Sequence, residues 1–290
     1  MPPDPNLVIT PITKRIVALD SQILNTIQLC ARKVKLSLVD NYGPSMKPSY
    51  LETGGLMHTC LEAYYTMLRD GASWKDAVQF GIIAGKKYSI SFSISTEEID
   101  TVLYQFTEYT EFYRTEGWIP LDIERPFSAI LYDSPTLQII WEGRIDLTIK
   151  IQGYGEKVFW VDHKTQKRNQ ELSPLANQFM GYCWFTGTYS GIVNKIGFQK
   201  TLAREDRFKR PMVNYSKVRI EEWETNTLIW VGYLLDYIDS GIWPANFTSC
   251  DKYAGCVFQE VCTKDPDMRQ YTLDKKYLIH EPWNPAGELK

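Results

Sequence analysis

Val158-Phe-Trp-Val-Asp-His-Lys-Thr165 decides how this chain is read. It is an apolar strand that ends in Asp-x-Lys. Side chains alternate along a strand, so Asp162 and Lys164 share a face and His163 points away from both. The strand before it, Ile139-Ile-Trp-Glu-Gly-Arg-Ile-Asp-Leu-Thr-Ile149, carries a second acid, Asp146. Its odd positions Trp141, Ile145, Leu147 and Ile149 are apolar, while Glu142, Arg144, Asp146 and Thr148 line the other face. Two acids and a lysine at adjacent strand ends can hold a hard divalent cation and activate a water. Those are the requirements of metal-dependent phosphodiester hydrolysis. Glu142 shares the face of Asp146 and is a candidate outer acid.

Working outward, short alternating strands are predicted at 122–131, 138–151 and 157–164, with Gly153-Tyr-Gly155 turning between the last two. A helix over 175–185 and a strand over 190–199 follow. Upstream, helices are predicted over 20–39, capped by Asp20 or Ser21, over 51–69, and from Ser95-Thr-Glu-Glu98 to about residue 116. Residues 41–48 read as a loop. Downstream, 218–239 is an amphipathic helix, Pro244 closes that region, and a cysteine-bearing segment runs on from it. The fold class is α/β, with a central mixed β-sheet flanked by helices and a C-terminal cysteine segment. The expected organisation is a loose arm (1–19), a helical region (20–120), a sheet-bearing core (121–215) and a C-terminal helix with the cysteines (216–290), all in one integrated domain.

The 290 residues are enough for a real core, and the formal net charge of −3 announces no global affinity for nucleic acid. Local basic runs exist at Thr165-Gln-Lys-Arg168 and between Lys195 and Arg210. Some of the 9 Trp, 18 Tyr and 12 Phe are available to stack on bases beyond those used in packing. Residues 1–20 lack the apolar core of a secretory signal, and no stretch is long enough to span a bilayer, so a cytoplasmic protein without membrane contact is expected. The six cysteines are then thiols or metal ligands rather than disulfides. There is no Gly-x-x-x-x-Gly-Lys-Ser/Thr loop, so any duplex unwinding would need a helicase or recombination partner.

Three further sets of residues carry chemistry. Gln178 and Tyr182 lie four apart on one helix face, able to position a phosphate or a base. His58, one of three histidines, can ligate a divalent metal such as Mn²⁺ through a neutral imidazole nitrogen. Cys250, Cys256 and Cys262 form Cys-x5-Cys-x5-Cys. Four thiolates bind Zn²⁺ or an iron–sulfur cluster, so a fourth ligand would come from Cys30, Cys60 or Cys183.

Taken in order, these pieces resemble the PD-(D/E)xK nuclease superfamily, specifically its RecB-like branch of CRISPR-associated and phage-type exonucleases. Gly54 to His58 looks like the family's Gly-x-x-x-His, and Gly143 to Asp146 like its Gly-x-x-Asp. Asp162 and Lys164 look like its Asp/Glu-x-Lys, and Gln178 and Tyr182 like its Gln-x-x-x-Tyr. The resemblance implies a restriction-endonuclease-like core. It also implies Mg²⁺ or Mn²⁺ held by His58, Asp146, Asp162 and the backbone carbonyl of His163. Lys164 would then act on the water, and Gln178 and Tyr182 on the substrate strand.

A subset of that branch holds a 4Fe-4S cluster on one early and three late cysteines, which implies Cys30, Cys250, Cys256 and Cys262. The spacing departs from the Cys-x2-Cys-x5-Cys of many members, so Zn²⁺ at the same thiols stands as an alternative. The implied function is a metal-dependent DNA exonuclease acting on single strands or free ends in phage or bacterial DNA metabolism, placed in the host cytoplasm if phage-encoded. CRISPR spacer processing and a non-catalytic binding module are the alternatives.

Overall fold

A computed structural model describes residues 14–45, 49–92, 94–166, 173, 175–252 and 255–282. Strand β1 (Arg15–Leu19) leads into α1 (Ser21–Leu29), whose start is fixed by the Ile23 N–H donating to Asp20 at 2.8 Å. A single turn, α2 (Ala31–Val34), and a wide π-turn over Lys35–Val39 precede β2 (Tyr42–Pro44). Three helices follow, α3 (Ser49–Arg69), α4 (Trp74–Phe92) and α5 (Thr96–Phe112). Then come β3 (Trp118–Asp133), β4 (Leu137–Ile151), β5 (Val158–Gln166), α6 (Asn177–Thr186) and β6 (Ser190–Gly197). The C-terminal part comprises α7 (Arg204–Arg207), β7 (Phe208–Lys209), β8 (Met212–Asn214), α8 (Lys217–Ser240), α9 (Gln259–Thr263), α10 (Arg269–Lys276) and β9 (Tyr277–Ile279).

The central sheet is mixed and runs β1-β4-β5-β6-β7, with β3 on β4 and β8 on β6. Helices α3, α4 and α5 cover one face, over a core that includes Leu56, Tyr64, Phe106, Leu147, Phe159, Val161 and Ile192. Helices α1, α6 and α8 cover the other, over Leu24, Trp141, Trp160, Phe179, Val193 and Trp223. Both faces are buried, so β5 is apolar on both sides: Phe159 and Val161 enter one core and Trp160 the other. This is the expected α/β class.

The pairing of β4 positions the site. Strand β3 takes one edge of β4 along nearly its whole length. The other edge is shared: β1 pairs with Leu137–Trp141 and β5 with Leu147–Lys150. Residues 142–146 fall between the two partners, so that edge opens at Asp146.

The structure departs from the sequence expectations in five places. Residues 15–19 of the supposed loose arm are the parallel strand β1; residues 1–13 lie outside the described set. The expected helix 20–39 is broken at Cys30, whose backbone is extended at φ −167°. The expected loop 41–48 contains β2, which pairs antiparallel with β9; residues 46–48 are outside the described set. Helix α4 had no counterpart in the sequence reading. The odd apolar residues of β4 do not share one core: Ile139, Trp141 and Ile145 join the α6–α8 side, and Leu147 and Ile149 the α3–α5 side. The strand turns over where its partner changes from β1 to β5.

Among the described residues no helix is long and apolar enough to cross a membrane.

Helix α6 lies close to the sheet because Gly181 faces Trp141. A Cβ there would stand 2.5 Å from the indole nitrogen. Gly181→Ala should therefore destabilise the fold by about 1–3 kcal/mol through overpacking. Gly232→Ala, in the exposed middle of α8 with nothing near its Cβ, should stabilise it by up to about 1 kcal/mol. Urea denaturation of the two variants checks both signs.

Candidate active site

The site is built at the gap in β4. Asp146, almost fully buried, accepts the His163 N–H at 2.6 Å, which closes the opening where no strand pairs. The next carbonyl, that of His163, lies 3.0 Å from His58 Nε2 on α3. On the opposite ring edge, His58 Nδ1 is 3.8 Å from Asp146 and 3.7 Å from Glu124. His58, Glu124 and Asp146 offer ligand atoms that all lie within 4.8 Å of one another. An imidazole, two carboxylates and a nearby carbonyl suit Mn²⁺ or Mg²⁺.

Asp162 sits beside this group with no exposed surface. Lys164 Nζ lies 2.8 Å from its Oδ2, and the same ammonium donates to Gln178 Oε1 at 2.8 Å. Oδ2 receives no well-aligned hydrogen bond and is shut off from solvent. A buried carboxylate oxygen with a free lone pair is a ready cation ligand. Gln178 Nε2 donates to the Tyr182 hydroxyl at 2.8 Å, and that hydroxyl donates to the Arg144 carbonyl at 2.7 Å. Arg144 O belongs to the stretch of β4 left without a strand on that edge.

The charges are poised for a cation. Burial pushes the Asp162 carboxyl up to about 6; Lys164 opposes the shift and Asp146 adds to it. Asp146 is also raised, by burial first, with His58 opposing. Burial works against a charged His58, but Asp146 and then Glu124 outweigh it and hold the imidazole up at about 9. Lys164 is raised by Asp162 and Asp146 in spite of burial, so it stays charged. Without a metal, protons hold these acids together.

A family model of the PD-(D/E)XK nuclease superfamily matches residues 21–263. The chain belongs to the PD-(D/E)XK nuclease superfamily. One solved structure agrees at the level of fold. A protein from Eubacterium rectale described as an exonuclease candidate superposes with a TM-score of 0.50 at 10% identity, over 81% of this chain and 86% of that one. A crystal structure of SSO0001 matches with a TM-score of 0.39 at 14% identity, over 85% of each chain. No curated protein matches. Superfamily members use divalent cations, and the His58–Glu124–Asp146 group offers ligands for one.

For this PD-(D/E)XK chain, the sequence singled out Asp146, Asp162, Lys164 and His58 as catalytic, and the fold brings all four together. Gln178 and Tyr182 share one face of α6 as expected. Tyr182 is buried, and the two side chains hold Lys164 and the Arg144 carbonyl of β4. Glu142 is not part of the acid group; it accepts from Ser128 at 3.0 Å across the β3–β4 pair.

Glu124 was missed. It stands between Ile123, opposite Leu147, and Arg125, opposite Ile145, so it lies across from Asp146. The hairpin at 134–136 pairs Asp133 with Gln138, and a register shift between Ile130 and Tyr132 then brings Glu124 rather than Arg125 across from Asp146, which no local pattern in the sequence signals. The backbone at Glu124 is left-handed, φ 47°, next to a register shift between Pro120 and Ile123. Such strain in a non-glycine residue marks a side chain aimed on purpose.

Behind the site, His163 does point away from its neighbours. Its ring stacks on Tyr65 at 5.7 Å, and its Nδ1 accepts from Asn194 at 2.7 Å. Burial first, then His58, Arg210 and Lys164, hold it neutral. Asn194 is held in turn by Arg210 at 3.2 Å, and Arg210 pairs with Glu116 between the rings of Tyr113 and Trp118.

The cysteines do not form a compact ligand set. Cys60 and Cys183 are fully buried in the two cores. Cys30, Cys250, Cys256 and Cys262 are half-buried where the N- and C-terminal segments meet, but no three of their sulfurs approach one another as the His58–Glu124–Asp146 atoms do. A zinc tetrathiolate would hold its sulfurs about 3.8 Å apart, so the zinc alternative does not fit this arrangement. The expected iron–sulfur cluster receives no support from it either.

Relieving the backbone at Glu124 and removing its carboxylate should act in opposite directions. Glu124→Gly should change the metal-free stability by less than about 1 kcal/mol, relief of the backbone offsetting the lost His58 pairing, and weaken Mg²⁺ binding at least about tenfold. Asp162 binds its proton more tightly folded than unfolded, so metal-free stability falls as pH rises through the range up to about 6. A cation offsets that loss and also requires neutral His58. The Mg²⁺-induced rise in melting temperature should therefore grow from about pH 5 to about pH 8, and Glu124→Gly should flatten the growth. Thermal melts of both proteins across that range check it.

Proposed function

We propose that this chain is a metal-dependent DNA exonuclease acting on single strands or free ends, in phage or bacterial DNA replication, recombination or repair. The observation that carries the reading is Lys164, charged and clamped between Asp162 and Gln178, beside the His58–Glu124–Asp146 group. A lysine fixed there, as an ammonium, is placed to orient a water against a phosphate.

His58, Glu124, Asp146, Asp162 and the His163 carbonyl would hold the cation. A bound Mg²⁺ or Mn²⁺ polarises a phosphoryl oxygen and makes water a stronger nucleophile at neutral pH. The protein's own part is positional. The His163 peptide aligns Asp146 with His58. Gln178 and Tyr182 keep Lys164 aimed at the acids. The Lys164 ammonium, held by Gln178, would offset charge developing on the phosphate.

The finer reading of Cys30, Cys250, Cys256 and Cys262 as a structural 4Fe-4S centre belongs to the same proposal and rests on their order in the sequence. Two contacts show that the four lie in one region. Partial burial, then Cys256, Cys262 and Cys30, raise the Cys250 thiol, so the four share one electrostatic neighbourhood. The extended Cys30 presents its sulfur to the Asn246 N–H at 3.3 Å, joining the two segments. Thiolates around a cubane stand wider apart than around a single zinc ion.

The test is degradation of end-labelled linear single-stranded DNA with Mn²⁺, by wild type and Lys164→Ala purified without oxygen. Wild type should release short products, and the variant should be slower by about 10² or more. A circular strand should resist if free ends are required. Failure of wild type to cut any strand while still binding it would replace this reading with the non-catalytic module. Iron analysis of the same preparations should find iron in both; its absence would remove the cluster.

A further inference from the structure

A cleft of about 750 Å³ opens at the junction of α1, α6 and α8. Its floor is Asn177, the first residue of α6, which is almost fully buried. The Asn177 NH₂ donates to Asn25 Oδ1 at 2.7 Å and to Gln28 Oε1 at 2.9 Å, and its own oxygen accepts from Trp223 Nε1 at 3.0 Å. This fixes the direction of two exposed amides. Asn25 and Gln28 turn their oxygens inward, and among the described residues nothing takes their NH₂ groups. Asn226, also exposed on the wall, has no partner among the described residues. Half-buried Trp230 supplies an aromatic wall.

The lining chemistry selects a ligand class. The cationic and anionic side chains of the wall, Arg219 and Glu222, neutralise each other at 3.1 Å. What remains is neutral: amide donors and acceptors around an indole. Such a lining matches the edge and face of a nucleobase better than a phosphate. Its size suits one nucleotide. Its position matters as much. Asn177 and Gln178 are consecutive on α6, where each residue turns about 100° from the last. Asn177 therefore opens on the cleft while Gln178 holds Lys164 in the site.

We infer that this cleft takes the base of a nucleotide neighbouring the scissile phosphate, so that the N-terminal turn of α6 separates base recognition from hydrolysis. The inference rests on the nuclease reading above for its substrate.

The test is equilibrium binding of a fluorescent single-stranded oligonucleotide in EDTA, with one abasic nucleotide moved along the strand, and cleavage of the same strands measured separately in Mn²⁺. The proteins are wild type and the doubly substituted Asn25→Leu/Asn226→Leu, both sites being exposed. Circular dichroism of the variant confirms that it is folded. Wild type should lose affinity about tenfold when one particular position is abasic. The variant should bind the intact strand about tenfold more weakly and show no further loss at that position. A flat abasic scan with normal cleavage overturns the cleft and leaves the nuclease reading standing. A position-specific loss absent from the variant, without cleavage, overturns the nuclease reading and with it the place of the base beside a scissile phosphate, leaving base binding in the cleft alone. No binding of any strand overturns both.

Discussion

The peptide groups on either side of His163 join everything the site needs. The N–H of that residue closes the open edge of β4 through Asp146, and its carbonyl meets His58 from a helix on the far side of the sheet. Strand alternation then sends the imidazole backwards into Tyr65 and Asn194 while Asp162 and Lys164 face forward. One residue thus has its main chain at the chemistry and its side chain in the scaffold. The scaffold end is stiff because Asn194, Arg210 and Glu116 are mutually satisfied and Arg210 lies between two aromatic rings. A satisfied buried polar network of this kind resists displacement, since breaking any one partner strands the others.

Electrostatics explains why the acids are tolerated there. Asp146 and Asp162 are both withdrawn from water; Asp146 raises the affinity of Asp162 for protons, and Glu124 raises that of Asp146. Charged Lys164 and His58 keep the cluster near balance at the expense of tying up those groups. A divalent cation held there would resolve the conflict more completely than protons do, because it would leave the carboxylates ionised.

Much of this was legible from local pattern. Asp162, Lys164 and the backward turn of His163 follow from period two on a single strand. Gln178 and Tyr182 follow from helical spacing, and His58 from its place in Gly54 to His58. The boundaries of β4, β5, α6, β6 and α8 lie close to those read from the sequence. What was not legible depends on tertiary pairing. Glu124 becomes an active-site acid only once β3 is folded back on β4 in a definite register. Strand β1 is too short and too plain to announce itself before its partner is known. Tyr182 carries the right hydroxyl, but whether it meets substrate or a backbone carbonyl depends on which stretch of β4 lacks a strand. The cysteines show the limit most plainly, since order along a chain does not fix separations in space.

The small β2–β9 ladder has a consequence for how the molecule is made. It pairs Tyr42 with Ile279, about 240 residues downstream, and the Arg32 N–H donates to the Pro244 carbonyl at 3.1 Å nearby. Contacts this distant in sequence close late. At ordinary elongation rates the ribosome needs on the order of ten to fifty seconds to synthesise the partner segment. During that interval the surfaces around Cys30, Leu36 and Tyr42 are without the C-terminal residues that later cover them. The nascent chain therefore passes through a stage in which the two-faced sheet has its strands but its seam is unclosed.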